Sequence, residues 1–428
     1  MLEFLIAPSA VYGQMIFVKL LGVCFFFAFF SLSQQILGLY GSQGILPIDD
    51  YMHVARQKIK AHRFGTLPTL FWFKSSDKMI KTCVDAGIIF SLLVILGVFP
   101  AFFLTLLCIL YLSFISVGNE FLSYQWDALL IETGFLGVLY AIQSPPPIMV
   151  VYAARFLLFR FIFSSGIVKL LSGCLEWRSL NAMKYHFETQ PLPNRGGYYL
   201  HQIASRLTKI LTLSVYFLEL IVPFFIFGGS FLRLFAAASL SLFQLLLMAT
   251  GSFAFFNLLT IALCFTLVGD KFLLWMPQWT MQALSPNPFL TLVLNLLATL
   301  LIVLNVHMFL RLFFRFEEVD RVFRWIYPFH LVNSYGLFAV MTTKRNEIIL
   351  EGSEDGIVWK PYEFYWKPGA LDQAPKHVAP LHPRLDWQMW FASLDHYQRV
   401  PWFHQLLVRI LQDSKDVLAL FQSVLPDF

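Results

Sequence analysis

The sequence predicts a polytopic α-helical membrane protein of about nine transmembrane helices, followed by a C-terminal α+β soluble domain. Three observations predict it. Of 428 residues, 58% are hydrophobic and 13% charged, against about 45–50% and 25% in ordinary soluble domains. Apolar runs of spanning length recur as far as Phe313. Charge is also unevenly placed: residues 1–311 hold 19 Lys+Arg and 12 Asp+Glu, whereas residues 312–428 hold 12 and 14. A charge-poor membrane block therefore precedes a tail of soluble composition. The tail is slightly acidic, which excludes a strongly basic nucleic-acid domain, and no heptad array or collagen repeat is present.

The first apolar run, Met15 to Leu32, has only Glu3 ahead of it, and its first basic residue, Lys19, lies inside it. It lacks the charged leader of a cleavable signal and reads as a retained helix. The expected spans are Val11 to Ile36, Thr82 to Phe99, Ala101 to Val117, Asp127 to Ile142, Ile148 to Leu170, Ile210 to Phe227, Phe231 to Met248, Phe253 to Val268 and Phe289 to Phe313. The fourth is short and carries Asp127 and Glu132. Pro100, the Pro145-Pro146-Pro147 run and Gly228-Gly229 supply the tight turns between neighbours. Two polar stretches, residues 37–81 and 171–209, interrupt this block, which as a whole covers residues 1–313. The first of them holds seven Lys/Arg and three Asp/Glu.

Residues 314–428 read differently. Leu337 to Thr342 and Glu347 to Glu351 are β-rich runs joined by Thr343-Lys344-Arg345-Asn346, as in a hairpin, and Trp359 to Trp366 is a third, aromatic run. Trp387, Trp390, Phe391 and Leu394, then Phe403, Leu406, Leu407 and Ile410, follow helical spacing. Among the five cysteines, Cys24, Cys108 and Cys264 sit in apolar runs, and no CxxC occurs. The tail has none, so the sequence asks for no disulfide.

Charges within apolar spans are costly unless paired or hydrated, so each is a candidate site. Arg155, Arg160 and Lys169 share one expected helix. Arg155 and Arg160 are expected to pair with Asp127, Glu132 or Glu219, and Lys169 either snorkels from the helix end or acts as a desolvated base. Lys169 opens the densest polar and aromatic stretch in the chain, which runs to Asn194. Within it His186 and Glu188 stand two apart, which is not the spacing by which a helix presents two metal ligands, so no metal site is expected. No Walker A, GxGxxG, GxSxG or HExxH pattern occurs, and no cofactor is expected.

Several long motifs resemble the lipase maturation factor family. HFETQPLPN (His186 to Asn194) follows EWRSLNAMKY, which contains Trp177 and Arg178. QWDALLIETGFL begins at Gln125 and contains Trp126, Asp127 and Glu132. YGLFAVMTTKRNEIILEGS begins at Tyr335, WKPYEFYWKPG at Trp359 and RLDWQMWFASL at Arg384. They occur in the family's order over nearly the whole chain, and Gln190, Pro191, Pro193, Asn194 and Asn257 complete the set of motif residues. One departure is Ser252, which follows Gly251 where family members usually carry Asn.

The resemblance implies a multi-pass maturation factor that helps secreted lipases, or other exported clients, fold into active form, with the lipid bilayer as its other partner. It resembles bacterial members at least as well as animal ones. The corresponding settings are the bacterial inner membrane with a periplasmic tail, or the endoplasmic reticulum membrane with a lumenal tail. An odd number of spans combined with the positive-inside rule would instead put residues 37–81 and the tail together in the cytoplasm. Trp359, Trp366, Arg384, Asp386, Trp387 and Trp390 are the candidate client contacts. A more distant resemblance joins Gly166-Ile167-Val168-Lys169-Leu170 to a catalytic segment in the membrane domain of the vitamin K-dependent γ-carboxylase. It implies the alternative of a membrane enzyme with Lys169, His186 and Glu188 as catalytic residues and a lipid-borne or peptide substrate.

Overall fold

The computed structural model describes residues 5–275, 281–314 and 319–423. Its bundle is built from α1 (Val11–Ser33), α2 (Asp77–Leu96), α3 (Pro100–Val117), α4 (Gln125–Ile142), α5 (Ile148–Leu171), α6 (Ala182–Thr189), α7 (Arg195–Tyr216), α8 (Ser230–Thr250), α9 (Phe256–Cys264) and α10 (Pro288–Leu310). Among the described residues, seven helices are long and apolar enough to cross a membrane: α1, α2, α3, α5, the run Arg206–Phe227, α8 and α10. The other two expected spans are helical but fall short of that criterion. Asp127 and Glu132 dilute the apolarity of α4, and Phe256–Leu267 is too short.

Local chemistry sets the helix ends. Pro100 begins α3 at a position that needs no N–H, and Gly97 ends α2 at φ 83°. Asn287 caps α10 by accepting from the amides of Phe289 and Leu290 at 3.0 and 3.2 Å. Asn194 caps α7 in the same way, accepting from Gly197 at 2.8 Å. A Cβ on Gly197 would lie 2.5 Å from the Thr250 carbonyl oxygen, so the small residue lets the start of α7 meet the end of α8. The spanning run that continues α7 passes through a π turn at Phe217–Ile221 and a 3-10 segment at Val222–Phe227 that contains Pro223.

The first helix is the hub, packing on α2, α4 and α9, while α3 lies on α4 and α10 on α5. Phe25, Phe29 and Tyr111 form edge-on aromatic contacts at its centre.

The tail follows the expected class with different strands. Leu337–Thr342 forms no strand; it is an irregular segment held by side chains of the bundle. The pairing is instead β1 (Glu351–Gly352) with β2 (Lys360–Pro361), and β3 (Glu363–Phe364) with β4 (Phe421–Ser423), both antiparallel. Helices α11 (Arg384–Ala392) and α12 (Pro401–Leu411) match the periodic runs. One hydrophobic core runs continuously from α1 through α4 into Trp387, Trp402 and Phe421, so the tail is seated in the bundle rather than tethered beside it.

Candidate functional site

The motif residues converge on the junction between bundle and tail. Helix α4 places Gln125, Asp127 and Glu132 toward three tail segments. Gln125 accepts from the amide of Gly336 at 3.0 Å. Asp127 receives both terminal nitrogens of Arg384, at 2.8 and 3.0 Å, and the Tyr111 hydroxyl at 2.5 Å. Arg384 also donates to the Phe121 carbonyl, and both charged residues are 0% exposed. A bidentate guanidinium–carboxylate pair in this setting needs all these extra donors and acceptors to offset desolvation. Glu132 is bonded by Arg160, by the Asn333 amide and side chain at 3.0 and 2.9 Å, and by Tyr335 at 2.7 Å.

The HFETQPLPN segment is the second contact. Arg345 from the tail donates to the carbonyls of Glu188, Gln190 and Pro191, and Trp390 donates to that of Thr189 at 2.9 Å. Glu347 bridges Arg345 and Lys367 and so fixes the clamp. The segment can present consecutive carbonyls because α6 ends at Thr189 and Pro191 and Pro193 stop the helix from continuing, while Gln190 anchors it by donating to the Thr250 carbonyl at 2.8 Å. Trp387 donates to the Ser252 carbonyl at 3.2 Å. This bond uses the backbone of Ser252, so the unusual side chain there does not disturb it.

Lys169 does not snorkel. It donates to Glu219 at 2.6 Å and to the Ser165 carbonyl at 2.9 Å, and its ammonium lies over the Trp177 ring. Trp177 is buried and donates to the Phe338 carbonyl at 2.9 Å. Arg155 meets no acid among the described residues; it reaches the Thr266 carbonyl at 3.3 Å and lies over Tyr152. Arg178 is exposed.

Lys169 and His186 line one cavity of about 530 Å³, together with Trp126, Gln244, Asn257 and Phe338. Burial, then the charge of Lys169, holds the His186 pKa down at about 4. Glu188 is not part of this cavity. Its half-exposed carboxylate lies 3.7 Å from His201 and lines a separate cavity of about 280 Å³ with Asn194 and Trp366. The set Lys169, His186 and Glu188 is therefore not assembled around one point. No group of three His, Cys, Asp or Glu side chains among the described residues is placed to hold a metal.

Three of the expected client contacts need correcting. Arg384, Asp386 and Trp387 are buried and hold the tail to the bundle or to itself, with no surface left for a partner. Asp386 accepts from the amides of Trp366 and Lys367, both at 2.8 Å. Trp366 and Trp390 are half-buried, and Trp359 is 57% exposed. Sequence reasoning missed Arg345, Glu347, Asn333 and Gln244. Arg345 and Glu347 lie within the Tyr335 motif block, and that block was the only signal able to point to them.

The two regions that meet here each match a family model. The lipase maturation factor transmembrane domain matches residues 12–275, and the lipase maturation factor C-terminal domain matches residues 331–427. Among curated proteins, lipase maturation factor 2 of Xenopus laevis is 30% identical over 93% of this chain and 73% of its own length. Lipase maturation factor 2 of Homo sapiens is 31% identical over 96% and 76%, and lipase maturation factor 1 of Bos taurus is 31% identical over 95% and 80%. No solved structure matches the chain. With both regions matched and their shared motifs forming the junction between them, the chain belongs to the lipase maturation factor family.

Proposed function

We propose that the protein is a multi-pass membrane maturation factor that assists secreted lipases, or related exported proteins, to reach their active form. The observation that carries this is the match to both family regions over nearly the whole chain. An exposed apolar tip on the tail supports a client-binding role. Ile357, Val358 and Trp359 are 82, 56 and 57% exposed, and a grouped apolar surface of this kind marks an interaction site. The tip is held in shape, because Asp355 accepts from the amides of Ile357 and Val358 at 2.8 and 2.9 Å. Glu351, Glu354 and Asp355 flank it, which favours a protein partner over anionic lipid.

A factor acting on exported clients meets them on the exit side of the membrane. The tail would accordingly be periplasmic in a bacterial inner membrane, the setting that a bacterial-type member implies, or lumenal in the endoplasmic reticulum. A reporter fused after Phe428 and active only in the cytoplasm would overturn that placement. The enzyme alternative is not adopted, since Lys169 is held by Glu219 and the Ser165 carbonyl, and Glu188 lies outside its cavity.

The deciding experiment measures secreted lipase activity per unit lipase mass in a host lacking this gene, with and without the gene restored. Normal lipase mass with low specific activity, recovered on restoration, is expected. Unchanged specific activity for every secreted lipase would refute the maturation role.

A further inference from the structure

The cavity of about 530 Å³ at the junction holds polar atoms that the protein itself leaves unmatched. Among the described residues, the indole N–H of Trp126, the Oε1 of Gln244 and both side-chain polar atoms of Asn257 have no hydrogen-bond partner. The three residues are 4, 2 and 0% exposed. Buried polar groups are nearly always satisfied, so several orphans on residues that line one cavity point to a missing partner.

The chemistry of the lining narrows that partner. Its ion pair, Lys169 with Glu219, is internally neutralised. His186 is uncharged near neutral pH. A ligand with net charge would therefore find no unpaired counter-charge among these groups. The orphan atoms offer N–H donors at Trp126 and Asn257 and amide oxygen acceptors at Gln244 and Asn257, which suits a head carrying both a carbonyl and a hydroxyl. The remaining wall is apolar and aromatic. Ile162 of α5 and Leu247 of α8 belong to spanning helices, so one side of the cavity lies within membrane-spanning structure, while Phe338 and Trp390 close it from the tail.

We propose that this cavity binds a neutral, hydroxyl-bearing acyl lipid of the monoacylglycerol class, with its polar head on Trp126, Gln244 and Asn257 and its chain along the aromatic wall. This site does not depend on the identity of the client, and a lipase that fails to respond to the protein would leave it standing.

The test uses the purified full-length protein in detergent and a photoreactive diazirine monoacylglycerol. Saturable labelling is expected, with competition by unlabelled monoolein and none by oleate. Removing one amide should weaken labelling about tenfold, the loss expected for one buried hydrogen bond. Gln244→Leu and Asn257→Leu provide that comparison; neither leaves an internal partner unpaired at the orphan atoms, so melting temperature should hold. If either fails to fold, Trp126→Phe removes one N–H while keeping a ring in the aromatic stack, and the same weakening is expected. Labelling that does not saturate, that oleate competes equally well, or that persists unchanged in folded variants would overturn the proposal. So would a different neutral lipid retained through purification that monoolein cannot displace.

Discussion

Arg384 of the tail and Asp127 of the bundle form a bidentate ion pair at 2.8 and 3.0 Å in which neither side chain is exposed. This pair fixes the tail on α4 and gives the first prediction. Arg384→Met strands Asp127 as a buried, uncompensated charge, a loss of about 3–5 kcal/mol. The double variant Arg384→Met with Asp127→Asn should melt closer to wild type than either single variant. Thermal unfolding of all four proteins in detergent forms the cycle, and additive effects would show that the pair carries no coupling.

The Lys169–Glu219 pair separates a structural from a catalytic role. Lys169→Ala should lower the melting temperature and, through loss of folded protein, the yield of active lipase. Lys169→Met combined with Glu219→Leu removes both charges together and should restore stability and lipase specific activity. A stable double variant without any maturation activity would return Lys169 to the list of working residues.

Asp355 and Trp359 test the client surface. Trp359→Asp should reduce crosslinking to a secreted lipase several-fold, as for a central aromatic anchor, while leaving the melting temperature unchanged because the side chain is largely exposed. The backbone amides of Val358 and Ile357, with Ser353, hold the Asp355 carboxyl below its ordinary range. Asp355→Ala should loosen the tip and give an intermediate loss of crosslinking. Undiminished crosslinking in Trp359→Asp would move the client surface elsewhere.

Two buried groups outside the spans titrate with opposite effects on stability. His186 has its pKa lowered from 6.5 to about 4, chiefly by burial. Between those values the unfolded chain takes up a proton that the folded chain refuses, so stability falls as pH drops through this window. Asp386 is pushed by burial from 3.8 up to about 6, against the opposing backbone donors Lys367 and Trp366. There the folded chain holds the proton more tightly, so stability falls as pH rises toward 6. Buried His382 adds to the His186 effect in every variant. His186→Gln should therefore gain on wild type most in acid. Asp386→Asn, whose Oδ1 can keep both backbone bonds, should gain most above pH 6. Melts between about pH 4 and 7 read both signs, and parallel curves would refute them.

Apolar run length, charge distribution and helical periodicity are local properties, and they made the membrane class, α11 and α12 legible. Motif order made the family legible. The same local signals expected α4 and Phe256–Leu267 as spans; both are helical, but Asp127 and Glu132 lower the apolarity of the first and the second is short. They also marked Leu337–Thr342 as a strand, although its β-prone residues pack on Trp177 and His186 instead.

What only the tertiary structure decided is which groups meet. Asp127 and Arg384 are 257 residues apart, and Glu132 and Tyr335 are 203 apart. The sequence by itself determined that several buried charges must be neutralised within an apolar chain. Their partners were set by how the tail seats on the bundle, because Coulomb attraction and hydrogen bonding depend on distances that only the packed fold defines. The same packing put Trp126, Gln244 and Asn257 around one cavity with Lys169 and His186, and no local pattern in the chain could have revealed that grouping.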